Sequence, residues 1–417
     1  MPVIRNEAHL ASTPARKDAL AVIRAGWDAI ATAPVVARSV SLDGEDVLHI
    51  SGHRIPLRPY RRICLIGFGK AACAASEELK RILGGRVTPE AVIRSSGAAC
   101  AHPEHLSGTH PLPSAQNVEH TRKLLGTCAD LTGEDLVLVV ISGGGSAMLC
   151  GSPSECDQGQ RLYRDALRSG MTIHELNTVR KHISELKGGG LAKSLYPARV
   201  IGLIFSDVPG TSYDMVASGP TWPDVTDAAD ARAVLDRYGL SGYELTETPK
   251  EGTWFTNVTN IVLASNRIAL EAMAQKANEL GYPASILSDS VYEEPAQAVD
   301  HMRGVSARAV VAGGEFRIVV PDGGKGGRNT RATLTALERI GNEELFIAFA
   351  SDGLDNTDAA GAIADAVTRE HARAAGLDAA AYLKDYNDYA FFEKSGDLIF
   401  TGPTDANVSD LMLLLKE

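Results

Sequence analysis

Short runs of apolar, often β-branched residues recur along this chain, and between them lie longer stretches with apolar residues three or four apart. The first pattern belongs to buried strands and the second to amphipathic helices. Strands are predicted at 63–66, 91–94, 136–141, 200–205, 261–264, 284–287, 309–312, 316–320 and 345–350. Helices are predicted at 15–33, 71–83, 115–126, 158–169, 174–193, 267–280, 295–304, 330–340 and 359–375. Such alternation of apolar strands and helices means an α/β fold, with a parallel sheet covered by helices on both faces. Only Gly313-Gly314-Glu315 separates the runs at 309–312 and 316–320, a hairpin spacing that predicts a mixed second sheet. Residues 238–256 are polar, contain Pro249 and Gly252, and have no apolar period. The boundary is placed there, giving domains 1–245 and 246–417.

Bulk properties narrow the function. The chain of 417 residues is 44% hydrophobic and 22% charged, the balance of a soluble globular protein of two or three domains. A net charge of −11 argues against nucleic acid as a partner. No apolar run reaches the roughly 18 residues of a membrane span, so no membrane is expected. Arg16, Lys17, Asp18, Arg24 and Asp28 interrupt the N-terminus, which therefore does not read as a signal peptide. The expected location is cytoplasmic. The six cysteines all precede residue 157 and include no CxxC pair, so they read as reduced thiols. His102, His105, His110 and His120 lie around a proline-rich loop without the HExxH spacing of a helical zinc site, and read as structural.

Chemistry concentrates where strands end, the place at which open α/β sheets bind ligands. Gly323-Gly324-Lys325-Gly326-Gly327-Arg328-Asn329 opens a helix and combines bare N–H groups with positive charge, which suits an oxyanion or phosphate. Gly67-Phe68-Gly69-Lys70-Ala71-Ala72 formally matches the dinucleotide fingerprint. The acid expected after its second strand is absent, however, and the lysine suits a phosphate or carboxylate better. Ser142, Gly143, Gly144, Gly145 and Ser146 follow a very apolar strand and form either a phosphate cradle or a tight turn. Asn177, Arg180, Lys181, His182 and Lys187 lie on one predicted helix and its glycine-rich end, where an amide and a guanidinium can share a face. Asp207, Asp352 and Asp355 stand at strand ends, either as metal or hydroxyl ligands or as helix caps.

Taken in order, these segments resemble the glycerate 2-kinase family of the MOFRL type, formerly labelled hydroxypyruvate reductases. The resemblance runs over nearly the whole chain. It includes Gly67-Phe68-Gly69-Lys70-Ala71, Gly108-Thr109-His110-Pro111, Ile141-Ser142-Gly143-Gly144-Gly145-Ser146-Ala147 and Asn177-Thr178-Val179-Arg180-Lys181-His182. It continues through Ser206-Asp207-Val208-Pro209-Gly210, Ser218-Gly219-Pro220-Thr221, Gly313-Gly314-Glu315, Gly326-Gly327-Arg328-Asn329 and Ser351-Asp352-Gly353, and closes at Thr401-Gly402-Pro403-Thr404 and Asn407-Val408.

The resemblance implies two dissimilar three-layer α/β/α domains, the first Rossmann-like and the second mixed, with the site in the cleft between them. It also implies phosphorylation of D-glycerate at its 2-hydroxyl, dependent on ATP and Mg²⁺. Lys70 and Arg328 are the implied catalytic residues, with Asp207 a further candidate for orienting or deprotonating the acceptor. The nucleotide is expected on Ser142, Gly143, Gly144, Gly145 and Ser146, with Lys187 and Asn266 also binding it. The acceptor is expected on Asn177, Arg180, Lys181, Asn329 and Glu315, and the metal on Asp207 and Asp352. A small sugar acid and ATP are thus the expected partners, and a homodimer is compatible. Ser114, Phe316, Arg331 and Asp405 depart from the family pattern in site loops, so a related sugar acid is an alternative acceptor. The rivals from other classes are an NAD(P)-dependent hydroxypyruvate reductase and a non-catalytic sensor of sugar acids or nucleotides.

Overall fold

The most apolar runs become the strands of two separate sheets. The computed structural model describes residues 4–44, 46–96, 102, 104–318, 324–404 and 406–417. A small antiparallel meander comes first, from β1 (Val40–Asp43), β2 (Val47–Ile50) and β3 (His53–Pro56). The first large sheet contains β4 (Arg62–Gly69), β5 (Val87–Ser95), β6 (Leu106–Gly108), β7 (Asp135–Ser142), β8 (Arg199–Phe205) and β9 (Val258–Ala264), in the order β6-β5-β4-β7-β8-β9. The pairs β6–β5, β5–β4, β4–β7 and β7–β8 are all parallel. Every residue of β7 is buried, as expected for a central strand covered on both faces.

The second large sheet contains β10 (Ala284–Val291), β11 (Ala309–Gly314), β12 (Glu344–Ala350), β13 (Gly361–Ala364), β14 (Leu398–Ile399) and β15 (Asp410–Lys416). Its order is β10-β11-β15-β12-β13-β14; β10–β11 is parallel and the other pairs are antiparallel. The fold is therefore α/β with one parallel and one mixed sheet, as expected. The mixture has a different origin, though. The C-terminal strand β15 inserts between β11 and β12, and the predicted hairpin is not formed by the described part of 316–320. Val319 and Val320 lie outside the described residues. Glu315 and Arg317 N–H instead donate to the Val291 and Glu293 carbonyls at 2.8 and 2.9 Å, so the chain follows β10 onward. Gly314 permits this approach, because a Cβ on it would lie 2.3 Å from the Val291 oxygen, at φ +144°.

Two predicted helices are also interrupted. The one at 174–193 splits into Ile173–His182 and Gly190–Leu195. Gly188 and Gly189, both at positive φ, turn their N–H groups to the Ser218 and Gly219 carbonyls at 2.9 and 2.8 Å. The one at 359–375 begins as β13, and its helix is Ala366–Ala374, capped by Asp365. Gly361 lies so close to β12 that a Cβ would sit 2.0 Å from the Ala348 oxygen.

The chain forms two compact units, Val35–Ser206 with Ser212–Leu263, and Met1–Pro34 with Asp207–Thr211 and Ala264–Glu417. This division differs from a single cut after residue 245. The helix Pro14–Ile30 belongs with the mixed-sheet unit, where Trp27 Nε1 donates to the Ser351 carbonyl at 3.0 Å. Arg16, 1% exposed, joins Asp365 and Asp397 there at 2.7 and 2.8 Å. The polar stretch after 238 packs on the parallel-sheet unit, with Thr246 N–H on the His182 carbonyl at 2.7 Å and Tyr243 buried. Among the described residues no single helix is long and apolar enough to cross a membrane. The cysteines depart from expectation at one place: Cys73 is disulfide-bonded, while Cys64, Cys128, Cys150 and Cys156 are free.

Candidate active site

In the parallel-sheet unit, two glycine turns at the ends of β4 and β7 lock together. Lys70 N–H donates to the Gly143 carbonyl at 2.9 Å, and Ala71 N–H donates to Ser142 Oγ at 3.0 Å. The contact needs Gly69, at φ +112°, since a Cβ there would lie 2.3 Å from Ser142 Oγ. Ser142 is 2% exposed and its hydroxyl is used internally, whereas Gly144 and Ser146 of the same turn are partly exposed. The lock presents the exposed Lys70 side chain beside that turn. It also consumes two N–H groups that a dinucleotide pyrophosphate would need. With Arg94 and Ser95 ending β5 in place of an acid, the geometry disfavours nicotinamide binding.

A chain of side chains leads from this turn to the helix Ile173–His182. Ser146 Oγ and Ser218 Oγ are 2.9 Å apart, Ser218 Oγ donates to Asn177 Oδ1 at 3.0 Å, and Arg180 Nη1 donates to the same oxygen at 2.8 Å. Arg180 has no carboxylate partner among the described residues, and burial pushes its guanidinium down to about 10. An arginine so placed has unused donors for an anion. His110, read from sequence as structural, also joins this group. Its Cδ2 would lie 3.2 Å from a Cβ on Gly144. Burial, then Lys70 and Arg180, hold its imidazole below the ordinary histidine range. Its signal in the sequence was the Gly108-Thr109-His110-Pro111 segment, not any histidine spacing. The other three histidines have different neighbours: His105 contacts Glu90 and Cys73, the His102 ring lies 4.6 Å from that of His105, and His120 contacts the Ser107 carbonyl.

Two lysines expected to bind ligands in this unit pair with carboxylates. Lys181 is 5% exposed and pairs at 3.2 Å with Asp224, which also accepts from Thr226. Lys187 is 3% exposed, pairs with Glu155 and donates to the Leu149 carbonyl at 2.8 Å. Both ammonium groups neutralise buried carboxylates.

In the mixed-sheet unit the helix Arg328–Leu337 opens against Asp355. Asp355 accepts from Asn329 N–H at 3.0 Å, Asn329 Nδ2 at 3.0 Å, Thr330 N–H at 2.8 Å and Thr330 Oγ1 at 3.0 Å, so it caps the helix. Gly327 is required beside it, since a Cβ would fall 2.1 Å from the Asp355 carbonyl oxygen. Gly323, the first residue of the anion-binding stretch, lies outside the described residues. Lys325 turns away, its Nζ 3.7 Å from the centre of the Tyr389 ring. Arg328 donates through Nη1 and Nη2 to the two oxygens of Glu315 at 3.1 and 3.0 Å, and through Nε to Asp410. Glu315, expected to bind the acceptor, thus serves as a counter-ion to Arg328. The apolar run after Asp410 lacks β-branched residues, so its sequence predicts no strand there. Arg331 is no spare charge: it donates to the Leu383 carbonyl at 2.6 Å, pairs with Asp388 at 3.2 Å and stacks on Tyr386. Asp405 lies outside the described residues.

Asn266 opens the helix Asn266–Glu279 in the same unit and donates through Nδ2 to the Asp289 carbonyl at 2.5 Å. Among the described residues its Oδ1, like that of Asn329, is buried without a hydrogen-bond partner. Asp207 belongs to this unit, not to that of Lys70. Asp352 Oδ1 accepts from Leu354 N–H at 3.2 Å in a local turn. Among the described residues no three His, Cys, Asp or Glu side chains form a metal-holding group.

Residues 18–250 match the domain of unknown function DUF4147, and residues 308–410 match the MOFRL family. D-glycerate 2-kinase of Thermotoga maritima is 35% identical over 379 residues, covering 84% of this chain and 90% of its own. Glycerate 2-kinase of Pyrococcus horikoshii is 34% identical over 405 residues, covering 89% and 90%. The crystal structure of the Thermotoga maritima glycerate kinase matches with a TM-score of 0.84 at 31% identity, over 96% of this chain and 99% of that one. The chain therefore belongs to the glycerate kinase family that joins a DUF4147 domain to a MOFRL domain.

Proposed function

We propose that this protein is an ATP- and Mg²⁺-dependent kinase that phosphorylates the 2-hydroxyl of D-glycerate to give 2-phosphoglycerate. The observation that carries the reading is the set of Lys70, His110 and Arg180 around the 143–146 turn, with an arginine that no carboxylate among the described residues pairs. The names of the relatives support the acceptor. Phosphoryl transfer asks a protein for positioning and charge neutralisation more than for covalent help. In this reading Lys70 and the turn's N–H groups hold nucleotide phosphates, Arg180 and Asn177 hold the acceptor carboxylate, and Arg328 neutralises charge on the transferring phosphoryl group. Asp207 orients the acceptor hydroxyl, and Asn266 accepts a hydrogen bond from the nucleotide.

The test is ADP release with D-glycerate, ATP and Mg²⁺, with ³¹P and ¹H NMR to separate the 2-phosphate from the 3-phosphate. A parallel assay follows NAD(P)H oxidation with hydroxypyruvate. Turnover only in the second assay would replace the kinase reading, and ADP release only with another sugar acid would change the acceptor.

A further inference from the structure

Arg328 is gripped by two carboxylates of very different character. Glu315 follows β11, its side chain is 41% exposed, and it takes both terminal nitrogens of the guanidinium. Water screens such a pair and makes it exchangeable. Asp410 is the first residue of β15, its side chain is 3% exposed, and it holds Nε. It sits between two strands, opposite Gly314 on β11 and Ala350 on β12, so its backbone has no freedom to follow a moving arginine. The groups facing it are Arg328 and Asn329 from the helix, Asp355 after β12 and Glu315 after β11. An incoming phosphoryl oxygen pair would use the fork that Glu315 now occupies, because that fork matches oxyanions in pairs. Nε plays no part in that exchange.

We infer that Asp410 is a positioning residue: it fixes the guanidinium plane of Arg328 through Nε, so that the terminal nitrogens are presented to the transferring phosphoryl group while Glu315 is displaced. The inference rests on the catalytic role proposed for Arg328. It goes beyond that role by naming what keeps the arginine in register.

The experiment is a double-mutant cycle of Asp410→Asn and Arg328→Ala, measuring kcat and KM by ADP release and the thermal midpoint of each protein. Asp410→Asn keeps the shape and removes the charge. Its kcat should fall roughly 10- to 100-fold, the scale of a misplacement of about 1 Å, with KM for ATP within about twofold of wild type. In the Arg328→Ala background the same change should cost less than about twofold, because its effect passes through the arginine. A folded Asp410→Asn protein with wild-type kcat overturns the inference, as does a double variant whose losses multiply in full. Near-wild-type turnover of Arg328→Ala would strike at the underlying role instead, and the inference would go with it. Should Asp410→Asn not fold, Asp410→Glu carries the test, since it keeps the charge but shifts it by one methylene. Reduced kcat at unchanged KM for ATP supports positioning, and undiminished kcat overturns it.

Discussion

Replacing Arg180 by methionine should separate stability from function in opposite directions. The guanidinium is pushed down to about 10 because burial strips its water and no carboxylate among the described residues replaces it. That lowering corresponds to about 3 kcal/mol of unfavourable desolvation at about 1.4 kcal/mol per tenfold change in proton affinity. Because solvent still reaches part of this half-buried side chain, roughly 1–2 kcal/mol is the discounted figure. Methionine keeps the aliphatic stem and removes the charge. Asn177 Oδ1 is not orphaned, since Ser218 Oγ still donates to it at 3.0 Å. Urea denaturation should therefore show Arg180→Met as stable as wild type or more stable, by up to about 2 kcal/mol. Losing a charge-assisted contact to a carboxylate costs about 2–4 kcal/mol, so KM for D-glycerate should rise roughly 30- to 1,000-fold. A loss of 2 kcal/mol or more of stability would mean that Arg180 is a structural ion-pair partner. An unchanged KM would mean that it does not meet the acceptor, and either result refutes the reasoning.

Three further outcomes are expected. Arg16→Ala leaves Asp365 and Asp397 buried without their cation, so stability should fall by about 3–5 kcal/mol in urea titrations, a loss that Arg16→Lys would only partly recover. Hydrogen bonds from Thr172 and Tyr238 hold Glu175 down at about 2, below its unfolded value of about 4.3. Its contribution is therefore present above about pH 4.3 and lost as pH falls towards 2, and Glu175→Gln should flatten that part of a denaturation-midpoint profile. Glu315→Gln removes the exchangeable counter-ion of Arg328, so inorganic phosphate should inhibit the variant at several-fold lower concentration than wild type.

Much of the architecture was legible because local pattern and tertiary role coincide. The apolar runs that become β4, β7, β8 and β12 are buried strands whichever partners they find, and glycine-rich turns follow them. Local pattern failed where a contact from a distant segment decided the outcome. The helix predicted at 174–193 breaks because Gly188 and Gly189 must meet residues 218 and 219. The apolar run of β15 carries no β-branched residue to distinguish it from a helix, yet it fills the centre of a sheet.

The residue types of the site, and their order, were set by the sequence alone: glycine turns after strands, Lys70 and Arg328 beside them, and an amide with a guanidinium on one helix. Which of their charges find a buried carboxylate was decided only in three dimensions. Lys181 and Lys187 look no different along the chain from Arg180, but Asp224 and Glu155 neutralise the first two and no carboxylate among the described residues neutralises the third. His110 and Asp410 likewise gain their places from partners far away in sequence. A charge becomes available for chemistry when the fold leaves it without a counter-charge. That depends on which buried groups surround it, and no local pattern records them.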